Sequence, residues 1–145
     1  MTTLISASNR IPDLWQRSDE HTLRGPDDAR GLRVLGDADH RTVAAAVATA
    51  PTAELVLIEF PVYSDGRGFS LARDLRERHG YCGTLRASGE FGLDQVNELF
   101  ACGFDEVALP DTIDPQEALK WAHPFAERYQ VTAAQPQPLF RRRAL

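Results

Sequence analysis

From Leu32 onward, short apolar runs alternate with longer stretches in which apolar residues recur every three or four positions. Leu32 to Gly36, Leu55 to Phe60, Thr84 to Ser88 and Glu106 to Leu109 read as strands, and each precedes a helical pattern. The unbroken run Leu55-Val56-Leu57-Ile58 is of the kind found where both faces of a parallel strand are covered. After the first strand, Asp39 can cap a helix carrying Val43, Ala46, Val47 and Ala50 on one face and ended by Pro51. After the second, Ser64 or Asp65 can cap a helix with Phe69, Ala72, Leu75 and His79 aligned, and Gly80 supplies a left-handed stop. Leu93, Val96, Leu99 and Phe100 form the stripe of a third helix, closed by Gly103. The fourth opens with Asp114, Pro115 and Glu117 at N-cap, N1 and N3, a capping box, and Pro124 kinks or breaks it.

Strand and helix alternating four times with short links predict right-handed crossovers and a small parallel sheet of repeated β-α units. The class is α/β, either an open flavodoxin-like sheet or an incomplete barrel; both cover their strands with helices, so the periodicity fits either. Residues 1–30 read as an N-terminal extension, polar and weakly periodic, with Thr3 to Ile5 a short strand and Gly25-Pro26-Asp27-Asp28 a turn. Residues 31–130 form the α/β domain. Residues 131–145 read as an extended C-terminal arm, in which Gln135-Pro136-Gln137-Pro138 precedes Leu139-Phe140-Arg141-Arg142-Arg143. That end either docks an acidic surface or is solvated.

Composition narrows the chemistry. With 145 residues, 43% hydrophobic and 26% charged, the chain suits one folded domain. A net charge of −5 predicts no attraction to nucleic acid or anionic lipid. No apolar stretch matches a bilayer span or a secretory leader, and Cys82 and Cys102 form no disulfide framework, so the expected compartment is the cytoplasm. Lys120 is the only lysine among 16 basic residues, which removes P-loop and Schiff-base chemistry and leaves arginine, whose planar fork suits carboxylate, sulfate or phosphate. His21, His40, His79 and His123 lack metal-ligand spacing and no G-x-S-x-G elbow occurs, so no metal site or activated nucleophile is predicted.

Ligands of parallel α/β folds bind at the carboxyl ends of strands, which makes the segment from Phe60 to Gly68 the richest candidate. Helix-start N–H groups favour an anion there, Arg67 adds charge, and Gly66 and Gly68 permit either close ligand approach or a left-handed turn. The plain alternative is a capped turn with Arg67 paired to a neighbouring acid. Gly66-x-Gly68 with Glu90 near the next strand end echoes a dinucleotide fingerprint, but Leu71 stands where its third glycine belongs. Alternation puts Glu59 on one strand face and Arg86 on a face of the next, so the two can meet as a pair that ties strands together. Alternatively Arg86 joins Arg67 on one oxyanion, with Asp65 organising the loop and Ser70 donating. Glu59, Glu90 and Asp94 are the acid-base candidates; Asp94 at a helix start also complements the helix dipole.

Phe60-Pro61, Asp65-Gly66-Arg67-Gly68, Ser70, Ala72-Arg73, Leu75-Arg76, Gly80-Tyr81, Gly83, Leu85-Arg86-Ala87, Gly89, Asp94-Gln95 and Gly103-Phe104-Asp105 resemble a bacterial family of unknown function that carries an oxidoreductase label. The resemblance covers about residues 55 to 109, and more loosely Asp13, Trp15 and Tyr129-Gln130. Two positions depart from its pattern: Cys82 replaces a basic residue and Glu90 an aspartate. Members are typically encoded beside sirohaem-dependent sulfite or nitrite reductase and the sulfonucleotide reductase of sulfate assimilation. The resemblance implies a place in assimilatory sulfur metabolism, and with the loop chemistry the expectation is an accessory or partner-binding protein of assimilatory sulfite or sulfate reduction with an anion-recognising strand-to-helix loop around Asp65 to Gly68, supported by Arg86. Its partner is expected to be sulfite reductase, another sulfate-assimilation protein or a small anion. The alternatives are a small enzyme acting on an anionic substrate through Asp65, Glu59 or Glu90, and a flavin-binding oxidoreductase. No flavin, haem or iron-sulfur ligand pattern accompanies that last label, and no cofactor is assigned.

Overall fold

The structure, a computed structural model, describes residues 2–50 and 52–122. The predicted arm over 131–145, the breaks at Pro51 and Pro124 and the Tyr129-Gln130 match lie outside the described residues. Four central strands, β5 (Arg30–Leu35), β6 (Ala53–Phe60), β7 (Thr84–Gly89) and β8 (Glu106–Leu109), are each followed by a helix: α1 (His40–Thr49), α2 (Arg67–Glu77), α3 (Val96–Ala101) and α4 (Pro115–Ala122). Among the described residues no helix is long and apolar enough to cross a membrane.

Local chemistry accounts for the helix ends. Asp39 accepts the Thr42 backbone N–H at 3.0 Å, and Asp114 accepts that of Glu117 at 3.4 Å. Gly80 (φ 62°) and Gly103 (φ 105°) take the left-handed conformation beyond α2 and α3. At the start of α2 the N-cap is Gly66, with no side-chain cap, and Asp65 instead receives the Arg67 N–H at 3.1 Å.

The segment before Arg30 contributes four more strands to the same sheet. β1 (Thr3–Ser6) and β2 (Arg10–Ile11) form a hairpin beside β8, while β3 (Gln16–Arg17) and β4 (Thr22–Arg24) form one beside β5. The strand order is β2-β1-β8-β7-β6-β5-β4-β3, parallel only from β5 to β8. The expected parallel sheet is thus corrected to a mixed one. Nor is it flavodoxin-like: β5 to β8 are adjacent in sequential order, so each right-handed crossover lays its helix on the same side and no order reversal sends helices to the other. The result is a curled half-barrel, which the incomplete-barrel alternative described.

Chain length enforces the curl. Only Pro12–Trp15 join β2 at one edge to β3 at the other, and an extended chain from Ile11 to Gln16 spans at most ~18 Å. Seven strand spacings laid flat would measure ~33 Å. The edges must therefore approach one another, and Pro12–Trp15 becomes a strap across the helix-free side.

Strand alternation divides the residues between the two sides. Ile5, Val56, Ile58, Leu85, Ala87, Val107 and Leu109 meet Leu71, Leu75, Val96 and Leu99 in the buried core beneath the helices. The helix-free face carries Arg33, Leu57, Arg86 and Glu106 in one row, and Leu35, Glu59 and Ser88 in the next. A closed barrel fills this space with layered aliphatic side chains. Here it is filled by ion pairs and by the strap, whose Trp15 indole lies over Gly25 and Gly31, about 2.9 and 3.0 Å from where their Cβ atoms would be.

Replacing Arg86 by alanine removes the cation between Glu106 and Asp13 and leaves Glu106, 21% exposed, without its partner. The expected loss is about 3 kcal/mol. Asp13→Ala should cost less, because Asp13 is 43% exposed and Glu106 still holds the guanidinium. Urea denaturation of the two variants measures the order; equal midpoints would contradict it.

Candidate functional site

The carboxyl ends of the parallel strands lead into the loops at residues 36–39, 61–66, 90–95 and 110–114. The β6–α2 loop is held in three places. Asp65 forms a two-pronged pair with Arg67, Nε to Oδ1 at 2.9 Å and Nη2 to Oδ2 at 2.7 Å. The Tyr63 hydroxyl stands 3.3 Å from both carboxylate oxygens of Asp94 in the β7–α3 loop and donates to that group. Asp37, from the loop after β5, lies 3.9 Å from Arg67.

Electrostatics follow from this geometry. The Arg67 side-chain and backbone hydrogen bonds hold the Asp65 carboxyl down from 3.8 to about 2. The same pairing raises Arg67 above its ordinary value. Arg67 is nonetheless 65% exposed, while its partner Asp65 is only 11% exposed.

Arg67 and Arg86 do not form the shared oxyanion grip that the sequence suggested. Arg86 is 4% exposed in the middle of β7, with Nε donating to Glu106 at 2.8 Å and Nη1 to Asp13 at 2.8 Å. Two internal carboxylates already occupy it. Glu59 does not meet Arg86 either, because the register sets Arg86 opposite Leu57 and Glu59 opposite Ser88. Glu59 instead accepts from Arg33 Nε at 2.9 Å, and Arg33 Nη1 donates to the Glu20 carbonyl in the β3–β4 turn. Ser70 belongs to a different place, a hollow of about 230 Å³ between α1 and α2 that it shares with His40 and Asp74. Glu90 and Asp94 are exposed at the rim.

The two glycines also have separate explanations. A Cβ on Gly68 would come within 2.6 Å of the Phe60 ring, so this residue lets α2 settle onto β6. A Cβ on Gly66 would meet nothing within 4 Å, and its φ of −83° is ordinary. Neither observation calls for a ligand. Close backbone approach is again the requirement at Gly89, where φ is 99° and a Cβ would collide with the Phe60 carbonyl.

Sequence reasoning missed Arg33 and Glu106 as partners and Tyr63 as a contact. Glu106 was accessible in principle, since alternation places it with Ala108 on one face of β8, but its pairing needs the β7–β8 register. Asp13 and Trp15 were marked only by the family resemblance, and the structure puts both on the strap.

Two measurements follow from the loop. Gly68→Ala should lower thermal stability through the Phe60 contact, whereas Gly66→Ala should leave it nearly unchanged; the reverse order would refute the packing account. A carboxyl NMR titration should place Asp65 near 2 in the parent and move it toward 3.8 in Arg67→Ala. Because the folded value lies below the unfolded one, the pair's contribution is complete above 3.8 and lost as pH falls through about 2. An Asp65 midpoint that ignores Arg67→Ala would show that the pair does not form.

No curated protein and no solved structure matches the chain. A family match covers residues 31–140, from the first parallel strand past α4, and leaves the strap outside it. The chain belongs to DUF934, a family of bacterial proteins of unknown function.

Proposed function

We propose that this protein is an accessory, partner-binding protein of assimilatory sulfite or sulfate reduction, and that it docks through the β6–α2 loop. The observation that carries the docking part is the display of Val62 and Tyr63, 51% and 53% exposed, on a loop locked by Asp65–Arg67 and Tyr63–Asp94. Large apolar side chains held rigidly in solvent lose little freedom on association, which is the property of a contact residue. The resemblance to proteins encoded beside sulfite reductase supplies the metabolic setting.

Acid-base catalysis finds less support in the same geometry. Glu59 is tied to Arg33, and Asp65 is held ionised with its lone pairs engaged by Arg67, so Asp65 is not poised to exchange a proton near neutral pH. The hollow at the ends of β7 and β8, with Ser88 and Asp111 in its lining, has about 180 Å³. Small-molecule sites usually hold ~300 Å³ or more. Larger hollows of about 420 and 430 Å³ flank β5 and contain none of the candidate residues.

The test is capture of purified sulfite reductase by the immobilised full chain. The parent should retain it and a Val62→Ser, Tyr63→Ala double variant should lose most of it, with circular dichroism confirming an unchanged fold. Equal retention by both proteins, or by neither, would overturn the proposal.

A further inference from the structure

Resting on that docking reading, we infer that the surface around Val62 and Tyr63 fits a basic protein face, one that offers an apolar recess ringed by arginine or lysine. Val62 and Tyr63 are among the most exposed large apolar side chains of the described chain, and Leu35, 43% exposed, ends β5 at the same end of the sheet. These groups do not stand in a neutral surround. The adjoining loops present Asp37, Glu90, Asp94 and Asp111, all exposed; of the cations at this end, Arg67 is already claimed by Asp65, and Arg41 lies in the first turn of α1 beside Asp39.

Folding does not account for all of that negative charge. Asp39 and Asp114 cap helices, Asp65 fixes Arg67, and Asp94 receives Tyr63. The Glu90 and Asp111 carboxylates make no hydrogen bond or ion pair among the described residues. Their charge is left for whatever approaches. A partner with an acidic face would meet like charges at every loop, whereas a basic face would be steered toward the apolar contacts and oriented on them. This reverses the sign of the partner implied by an anion-gripping loop, because the arginines on which that picture depends are occupied from within.

Two experiments on the full chain separate this inference from the metabolic assignment. In the first, purified sulfite reductase is titrated at 50 and 300 mM salt against the parent and a Glu90→Lys, Asp111→Lys variant. Affinity should fall about tenfold or more with salt in the parent, and a comparable amount in the variant at low salt. In the second, a benzophenone amino acid at position 62 is photo-crosslinked in cell extract, and the attached peptides are sequenced. Attachment beside clusters of lysine or arginine supports the basic face even if sulfite reductase fails to bind, a failure that would count against the metabolic assignment alone. Attachment to acidic segments, no attachment, or affinity for sulfite reductase that ignores both salt and the lysine variant would overturn the inference.

Discussion

A guanidinium buried at the centre of a sheet must be neutralised where it lies, and Arg86 sets that condition for the molecule. One carboxylate, Glu106, comes from the neighbouring strand; the other, Asp13, comes from a segment remote in sequence. Bringing Asp13 there requires the chain to cross the helix-free face, and the crossing is too short unless the sheet curls. The β1–β2 and β3–β4 hairpins then finish the two edges of the parallel core. An uncompensated buried charge costs several kcal/mol, so the strap and the curl support each other through this pair. Trp15 adds an apolar seat over two glycine backbones, which have no Cβ to hold it off.

The parts of this architecture that sequence reveals are those governed by local rules. The β5 to β8 strands and the four helices were legible because helical periodicity, Asp39 and Asp114 caps and the glycine stops at Gly80 and Gly103 act within a few residues. The short strands β2, β3 and β4 were not. Two or three residues carry no periodicity, and their existence depends on the edges they meet. The candidate site divides in the same way. The Asp65–Arg67 pair spans two positions and was anticipated as the plain reading of the loop. The partners of Glu59 and Arg86 were not, because Arg33 and Glu106 lie 26 and 20 residues away and become neighbours only through register.

Glycines near a strand end illustrate how a ligand signature and a packing requirement share one appearance. Gly68 stands at the first turn of α2, where a phosphate-binding helix also needs a small residue. Its neighbour is the Phe60 ring, and Phe60 packs in turn near Phe69, Phe91 and Phe104 with ring centroids 5.1 to 6.2 Å apart. The aromatic cluster draws the helix down onto the strand, and a side chain at Gly68 would hold it off. The small residue is thus demanded by the inside of the protein and not by its surface.

The acidic character of the strand-end loops has two origins. Aspartate is a strong helix N-cap, and parallel β-α units place every helix start at the same end of the sheet, so capping alone concentrates carboxylates there. Charge required for capping says nothing about partners. Glu90 and Asp111 lie outside that requirement, on loops at the same end of the sheet as the exposed Val62 and Tyr63. Solvation alone would tolerate either sign at those two positions. With both negative at the strand end that displays Tyr63 and Val62, the proposed docking surface would repel acidic proteins before contact and favour basic ones on contact, which is how electrostatics contributes selectivity to an otherwise apolar patch.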